Sequence, residues 1–146
     1  MKIDEQGWLN STGWAALGGT WASDVLIANR FAWLVRIPES LAPGAYVLRH
    51  EIIALHVADE KDGAQSYPQC VNIMVDGAGV ATSGLKSIKG GVDARTMYRA
   101  GDPGISINIH RNISGYQIPG PALWEGASVM KQPNEVKMGR KLGKAA

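Results

Sequence analysis

An all-β chain, arranged as an antiparallel β-sandwich with long irregular loops, is the fold this sequence predicts, and three observations carry that reading. Short runs of alternating apolar residues recur: Phe31, Trp33, Val35 and Ile37, then Val71, Ile73 and Val75, then Ile105, Ile107 and Ile109. A period of two puts every second side chain on one face of a strand. Between the runs lie segments rich in Gly, Pro and Asp, such as DGAGVATSG (76–84) and AGDPG (100–104), whose chemistry is that of turns. Only 20–29 (TWASDVLIAN) can hold a helical turn. Four or five strands joined by such loops fit an antiparallel sandwich.

In chain order, the first strand is expected over 31–37, closed by Pro38. Pro43-Gly44 then turns the chain into the long run 45–57. The polar loop VADEKDGAQ follows, and Gln65-x-Tyr67 opens a strand that ends before Asp76-Gly77. Residues 105–110 form the cleanest half-buried pattern, with Ser106, Asn108 and His110 on the outer face. Trp33 belongs to the core in this scheme, while Trp8, Trp14 and Trp124 lie near glycines and are candidates for exposure.

At 146 residues the chain is one domain by length, enough to bury a core. Its 45% hydrophobic and 19% charged residues are ordinary for a globular protein. No apolar run reaches the roughly 18–20 residues of a membrane span, and residues 1–20 mix acids with polar groups, unlike a secretory signal. The basic pI of 8.8 belongs to one end. Residues 131–146 hold 5 of the 15 basic side chains and 1 of the 13 acidic ones, which leaves 1–130 with 10 against 12. Residues 1–130 are therefore expected to be the folded body and 131–146 a disordered basic tail. A mildly acidic body argues against nucleic acid as a partner.

The stretch YVLRHEIIALH (46–56) tests a metal reading. His50 and His56 are six apart, not four, so they do not form the zinc-protease pair. On a strand they share a face but stand roughly 20 Å apart, while zinc ligands lie about 2 Å from the metal. Arg49 and Glu51 face the other way, placed for a partly solvated ion pair. Mid-strand among apolar neighbours, His50 reads as a core histidine. His56 ends the strand, and a hairpin returning through Gln65 and Tyr67 brings these three to one sheet edge. Cys70 is the single cysteine, a small core residue in a reducing compartment or half of a disulfide in an oxidising one.

The run PGAYVLRHEIIALHVADEKDGAQSYPQCVNIMV (43–75) closely resembles the C-terminal half of the fungal lytic polysaccharide monooxygenases of auxiliary activity family 9, formerly glycoside hydrolase family 61. TWASDVLIA (20–28), WLVRIPESLAPG (33–44), DPGISINI (102–109) and YQIPGP (116–121) extend the likeness over most of residues 2–126. The resemblance implies an immunoglobulin-like or fibronectin-III-like β-sandwich, of which this chain is a part. It also implies a secreted copper enzyme that cleaves cellulose or a related β-glucan oxidatively, drawing electrons from an external donor. In that family copper is held by a histidine brace with an axial tyrosine, backed by a histidine and a glutamine. Carried over by motif, Tyr67 of QSYPQC resembles the axial tyrosine. Gln65 resembles the outer glutamine, and His56, closing IIALH, the outer histidine. Cys70 resembles a disulfide half whose partner lies in the family's N-terminal part.

Imidazole and amine nitrogens suit copper, with a weaker axial group, and donors such as His56 and Gln65 orient what copper holds and steer protons to it. Family-like sequence begins at Lys2, near the middle of the family's domain, so a truncated chain without the two brace histidines is the expectation. His110, in INIH, stands where members often carry a tyrosine on the flat cellulose-facing surface. That implies a substrate contact; read alone, it is a polar strand residue. The other function class is a non-enzymatic carbohydrate-binding or interaction remnant of the same fold, with Trp8, Trp14, Trp21, Trp33 and Trp124 as contacts.

Overall fold

The computed structural model describes residues 1–12, 18–77 and 92–133. Strands β1 (Trp8–Asn10) and β2 (Thr20–Trp21) pair antiparallel, with Trp8 opposite Trp21. Helix α1 (Ala22–Ala28) follows at once. Its Asp24 carboxylate accepts the Trp21 N–H at 2.8 Å, satisfying one of the donors that a helix start leaves open. Val25, 1% exposed, is the inward side chain.

The helix stops abruptly. Arg30 and Phe31 both have positive φ, 58° and 62°, a left-handed turn that L-residues adopt at a cost. Phe31 is thereby thrown outward, 76% exposed, and the strand expected over 31–37 does not form. The alternation survives without it. Trp33, Val35 and Ile37 are half-buried while Ala32, Leu34 and Arg36 are exposed. A strand needs a neighbouring backbone, and a side chain takes that place here. The Leu34 N–H donates to Gln132 Oε1, and Gln132 Nε2 donates back to the Leu34 carbonyl, both at 2.9 Å. Gln132 is 2% exposed, so the start of the expected tail is docked; residues 134–146 lie outside the described residues.

Strands β3 (Gly44–Ala54) and β4 (Gln65–Val75) form the main hairpin, eleven residues each. The register runs from Gly44 opposite Val75 to Ala54 opposite Gln65. Parity then sorts the side chains. Val47, Arg49, Glu51 and Ile53 share one face with Ser66, Pro68, Cys70, Asn72 and Met74. His50, Ile52 and Ala54 share the other with Gln65, Tyr67, Gln69 and Val71. The strand expected over 45–57 ends at Ala54, because Leu55 turns into a small core with Ala58 and Ile109. Ile53, Ala64, Ile107, Trp21 and Tyr116 pack around these three. Residues 105–110 keep their alternation, with Ile109 7% exposed and His110 outside, but they are not a strand. The Ile107 N–H, the Asn108 amide and the His110 ring bond to the 55–64 loop instead of to a ladder.

The chain's first residues are tied to its last described segment. Lys2 bridges to Leu123, and the Trp124 N–H donates to the Lys2 carbonyl at 2.8 Å. Among the described residues, two antiparallel sheets, one short α-helix and long loops make an all-β fold, as the alternation predicts. Among the described residues no helix is long and apolar enough to cross a membrane.

Candidate functional site

The site is built where the hairpin meets the core. After Ala54 the chain makes a tight turn, with Ala58 N–H donating to the Leu55 carbonyl at 3.1 Å. Leu55 and Ala58 point inward at 8% and 1% exposure, which leaves His56 between them facing solvent. Gly63 closes the loop: a Cβ there would stand 1.7 Å from the Val57 carbonyl oxygen, so only glycine fits.

Residues 107–110 hold this loop from outside. The Ile107 N–H donates to the Ala58 carbonyl at 3.0 Å, and Asn108 Nδ2 donates to Asp59 Oδ2 at 2.8 Å. His110 Nε2 lies 2.8 Å from the His56 carbonyl oxygen. A carbonyl only accepts, so that nitrogen carries the proton. His110 itself is exposed.

On the returning strand, the Tyr67 hydroxyl donates to Gln65 Oε1 at 2.6 Å. Both residues are exposed, Tyr67 at 53%. The structure thus joins Gln65 to Tyr67 by a side-chain bond and His110 to His56 through the backbone. Among the described residues no hydrogen bond joins the His56 ring to Gln65 or Tyr67.

His50 departs from its expected place in the core. It is exposed opposite Gln69, because no further layer covers that end of the hairpin among the described residues. Cys70 is likewise exposed, opposite Arg49, and not the small core residue of the reducing-compartment reading. Trp8 and Trp124 are half-buried. Trp8 Nε1 donates to the Gly18 carbonyl at 2.8 Å and Trp33 Nε1 to Asp4 Oδ2 at 3.1 Å. Trp14 lies outside the described residues.

The opposite face of the hairpin holds a cluster that the sequence disclosed only in part. Arg49 and Glu51 pair as expected, at 2.8 and 2.5 Å. The Ser66 and Tyr98 hydroxyls also donate to the Glu51 carboxylate. Glu51 is 7% exposed at its side chain. Burial pushes its carboxyl up, but the bonds from Arg49, Ser66 and Tyr98 outweigh that and hold it below the usual range. Tyr98 is pushed up to about 12, by burial and then by its hydrogen bond to the Glu51 carboxylate. Ser66, opposite Ile53, was a signal available from hairpin parity; Tyr98 had none.

Among the described residues no group of three or more His, Cys, Asp or Glu side chains converges as a metal site. One exposed phenol beside one amide supplies no nitrogen pair. The donors present do not fit a brace-held copper by themselves.

Known proteins place this architecture. The profile of Auxiliary Activity family 9 (formerly GH61) matches residues 1–117. The chain is 50% identical over 128 residues to AA9 family lytic polysaccharide monooxygenase A of Talaromyces verruculosus, covering 88% of this chain and 36% of that protein. It is 48% identical over 126 residues to AA9 family lytic polysaccharide monooxygenase F of Malbranchea cinnamomea, covering 86% and 48%. Among solved structures it is similar to Cel61B from Hypocrea jecorina, a glycoside hydrolase family 61 member, with TM-score 0.70, 45% identity and coverage of 84% and 49%. The extended catalytic domain of H. jecorina LPMO9A gives TM-score 0.67 at 51% identity, covering 77% and 43%. The chain spans about a third to a half of these proteins' lengths, and its two antiparallel sheets are part of their β-sandwich. This chain belongs to Auxiliary Activity family 9, the lytic polysaccharide monooxygenases.

Proposed function

We propose that this chain would supply a tyrosine oxygen and proton-handling side chains to the copper site of a secreted lytic monooxygenase acting on cellulose or a related β-glucan. The observation that carries this reading is the Tyr67 hydroxyl bonded to Gln65 at 2.6 Å on an exposed strand face, inside a family match that runs over residues 1–117. Tyr67 would offer its hydroxyl oxygen to the copper, and Gln65 Oε1 accepts its proton. His56, on a loop clamped by residues 107–110, stands exposed at the same end of the hairpin, where its ring nitrogens can give and take a proton. His110 offers a ring beside it as a surface for a sugar. The nitrogen ligands would come from the part of the relatives' length that this chain does not match, and an external donor would supply electrons. Taken alone, the chain is inactive. The carbohydrate-binding alternative is weaker, because the Trp8 and Trp33 rings are half-buried and bonded inward.

The test joins this chain to the N-terminal part of a relative such as the Talaromyces verruculosus protein. His56→Ala and Gln65→Ala should keep copper yet lose oxidised oligosaccharide yield by about 10- to 100-fold. Tyr67→Phe should keep copper while shifting its electron paramagnetic resonance spectrum. The unjoined chain should bind copper(II) weakly, without the hyperfine pattern of two or more nitrogens. A tight tetragonal nitrogen site in this chain alone, or full cleavage by both alanine variants, would refute the reading.

A further inference from the structure

The Gln65–Tyr67 pair lies on a stretch of strand that has little of its own to hold it. Both side chains are exposed, so packing does not orient them. Pro68 follows Tyr67 directly and pairs with Glu51. Proline has no N–H to donate, and the pairing register runs through it unbroken. On the opposite face of the hairpin from Gln65 and Tyr67 stands the Glu51 carboxylate.

Its four acceptor positions are filled. Oε1 accepts from Arg49 Nη2 and Ser66 Oγ, and Oε2 from Arg49 Nη1 and the Tyr98 hydroxyl. A carboxylate has about four lone-pair sites, so the node is saturated. Bonds to an ionised acceptor are also the stronger kind. Ser66 is the residue between Gln65 and Tyr67. Tyr98 comes from outside the hairpin, beyond the 3₁₀ turn Ala94–Thr96. Its ring passes Gly120, where a Cβ would stand 3.1 Å from the ring and φ is +89°. The YQIPGP segment thus leaves room for the tyrosine that reaches Glu51.

We propose that Glu51 is a positioning residue for the Gln65–Tyr67 pair: by holding Ser66 on one face of the hairpin, with Tyr98 bracing the carboxylate, it sets the strand so that the tyrosine and glutamine meet on the other. The importance of this for catalysis rests on the functional reading above; the positioning itself does not.

The experiment uses the full 146-residue chain, comparing wild type with Ser66→Ala, Ser66→Thr and Glu51→Gln by site-resolved amide hydrogen exchange and side-chain NMR. Ser66→Ala should raise exchange at Gln65 and Tyr67 about tenfold and shift the Gln65 side-chain amide toward its position in Tyr67→Phe. Amides of α1 should keep their wild-type rates. Ser66→Thr, which retains the hydroxyl, should restore both signals, and Glu51→Gln should fall between. A general loss of stability would instead move α1 as much as β4, and threonine would not rescue selectively. Wild-type signals at Gln65 and Tyr67 in Ser66→Ala, or an equal rise across the chain, would overturn the proposal. The alanine variants of Gln65 and His56 in the joined protein decide the catalytic reading separately, so the two can fail independently.

Discussion

The β3–β4 hairpin has two ends made from similar residues and held very differently. At the loop end, Ile53, Leu55, Ala58 and Ala64 meet Ile107, Ile109 and Tyr116, and the Glu51 node ties both strands to Tyr98. At the far end, Val47, Val71 and Met74 are 62%, 57% and 73% exposed. The ladder is continuous through both. Backbone pairing therefore does not distinguish them; packing of side chains does, and the candidate site sits at the packed end. Two strands without a covered face are marginal in water, so the order of Gln65 and Tyr67 depends on what lies behind and beside them.

The largest separation of the two ends should come from truncating apolar groups. Leu55→Ala or Ile109→Ala should cost about 2–5 kcal/mol in urea unfolding. Val47→Ala and Met74→Ala should change stability by no more than about 0.5 kcal/mol. Equal losses at the two ends would break the comparison.

Next in size is the node. Tyr98→Phe removes one donor from an almost fully covered carboxylate and should cost about 1–3 kcal/mol. The same measurement on Tyr46→Phe, at the exposed end, tests whether a hydroxyl there matters equally; its bond goes to the Ala42 carbonyl.

A smaller effect should appear with pH. The Glu51 carboxyl is held below its ordinary value in the folded chain, so its contribution is complete above the ordinary glutamate range, about 4.3. It is lost as pH falls through the lowered folded value. Tyr98 works in the opposite direction. Raised to about 12, its contribution is complete below the ordinary tyrosine range near 10 and is lost as pH rises toward that folded value. Urea midpoints of wild type and Glu51→Gln should converge on the acid side, and those of wild type and Tyr98→Phe on the alkaline side. Parallel curves at all pH values would remove the node from the account of stability.

The smallest expected effect is at Asp93 and Arg95, an exposed pair at 2.7 Å. Asp93→Asn should leave the urea midpoint unchanged within error, because solvent and salt screen such pairs.

Much of this architecture was written in short-range order along the chain. Alternation marked which side chains turn inward at 33–37 and 105–109. Hairpin parity put Arg49 with Glu51 and Gln65 with Tyr67, and the motifs QSYPQC and IIALH carried the family. Each of these depends on residues a few positions apart, so a linear reading can reach them. What it could not reach were relations between distant segments. Runs 31–37 and 105–110 have strand alternation but no strand, because a ladder needs a second backbone and theirs is bonded instead to Gln132 and to the 55–60 loop. His50 has the neighbours of a core residue yet lies exposed, since burial depends on what covers a face and not on the residues beside it. Tyr98 reaches Glu51 from 47 positions away, a contact that no periodicity encodes and that exists because folding closes the intervening loop and keeps the carboxylate out of water.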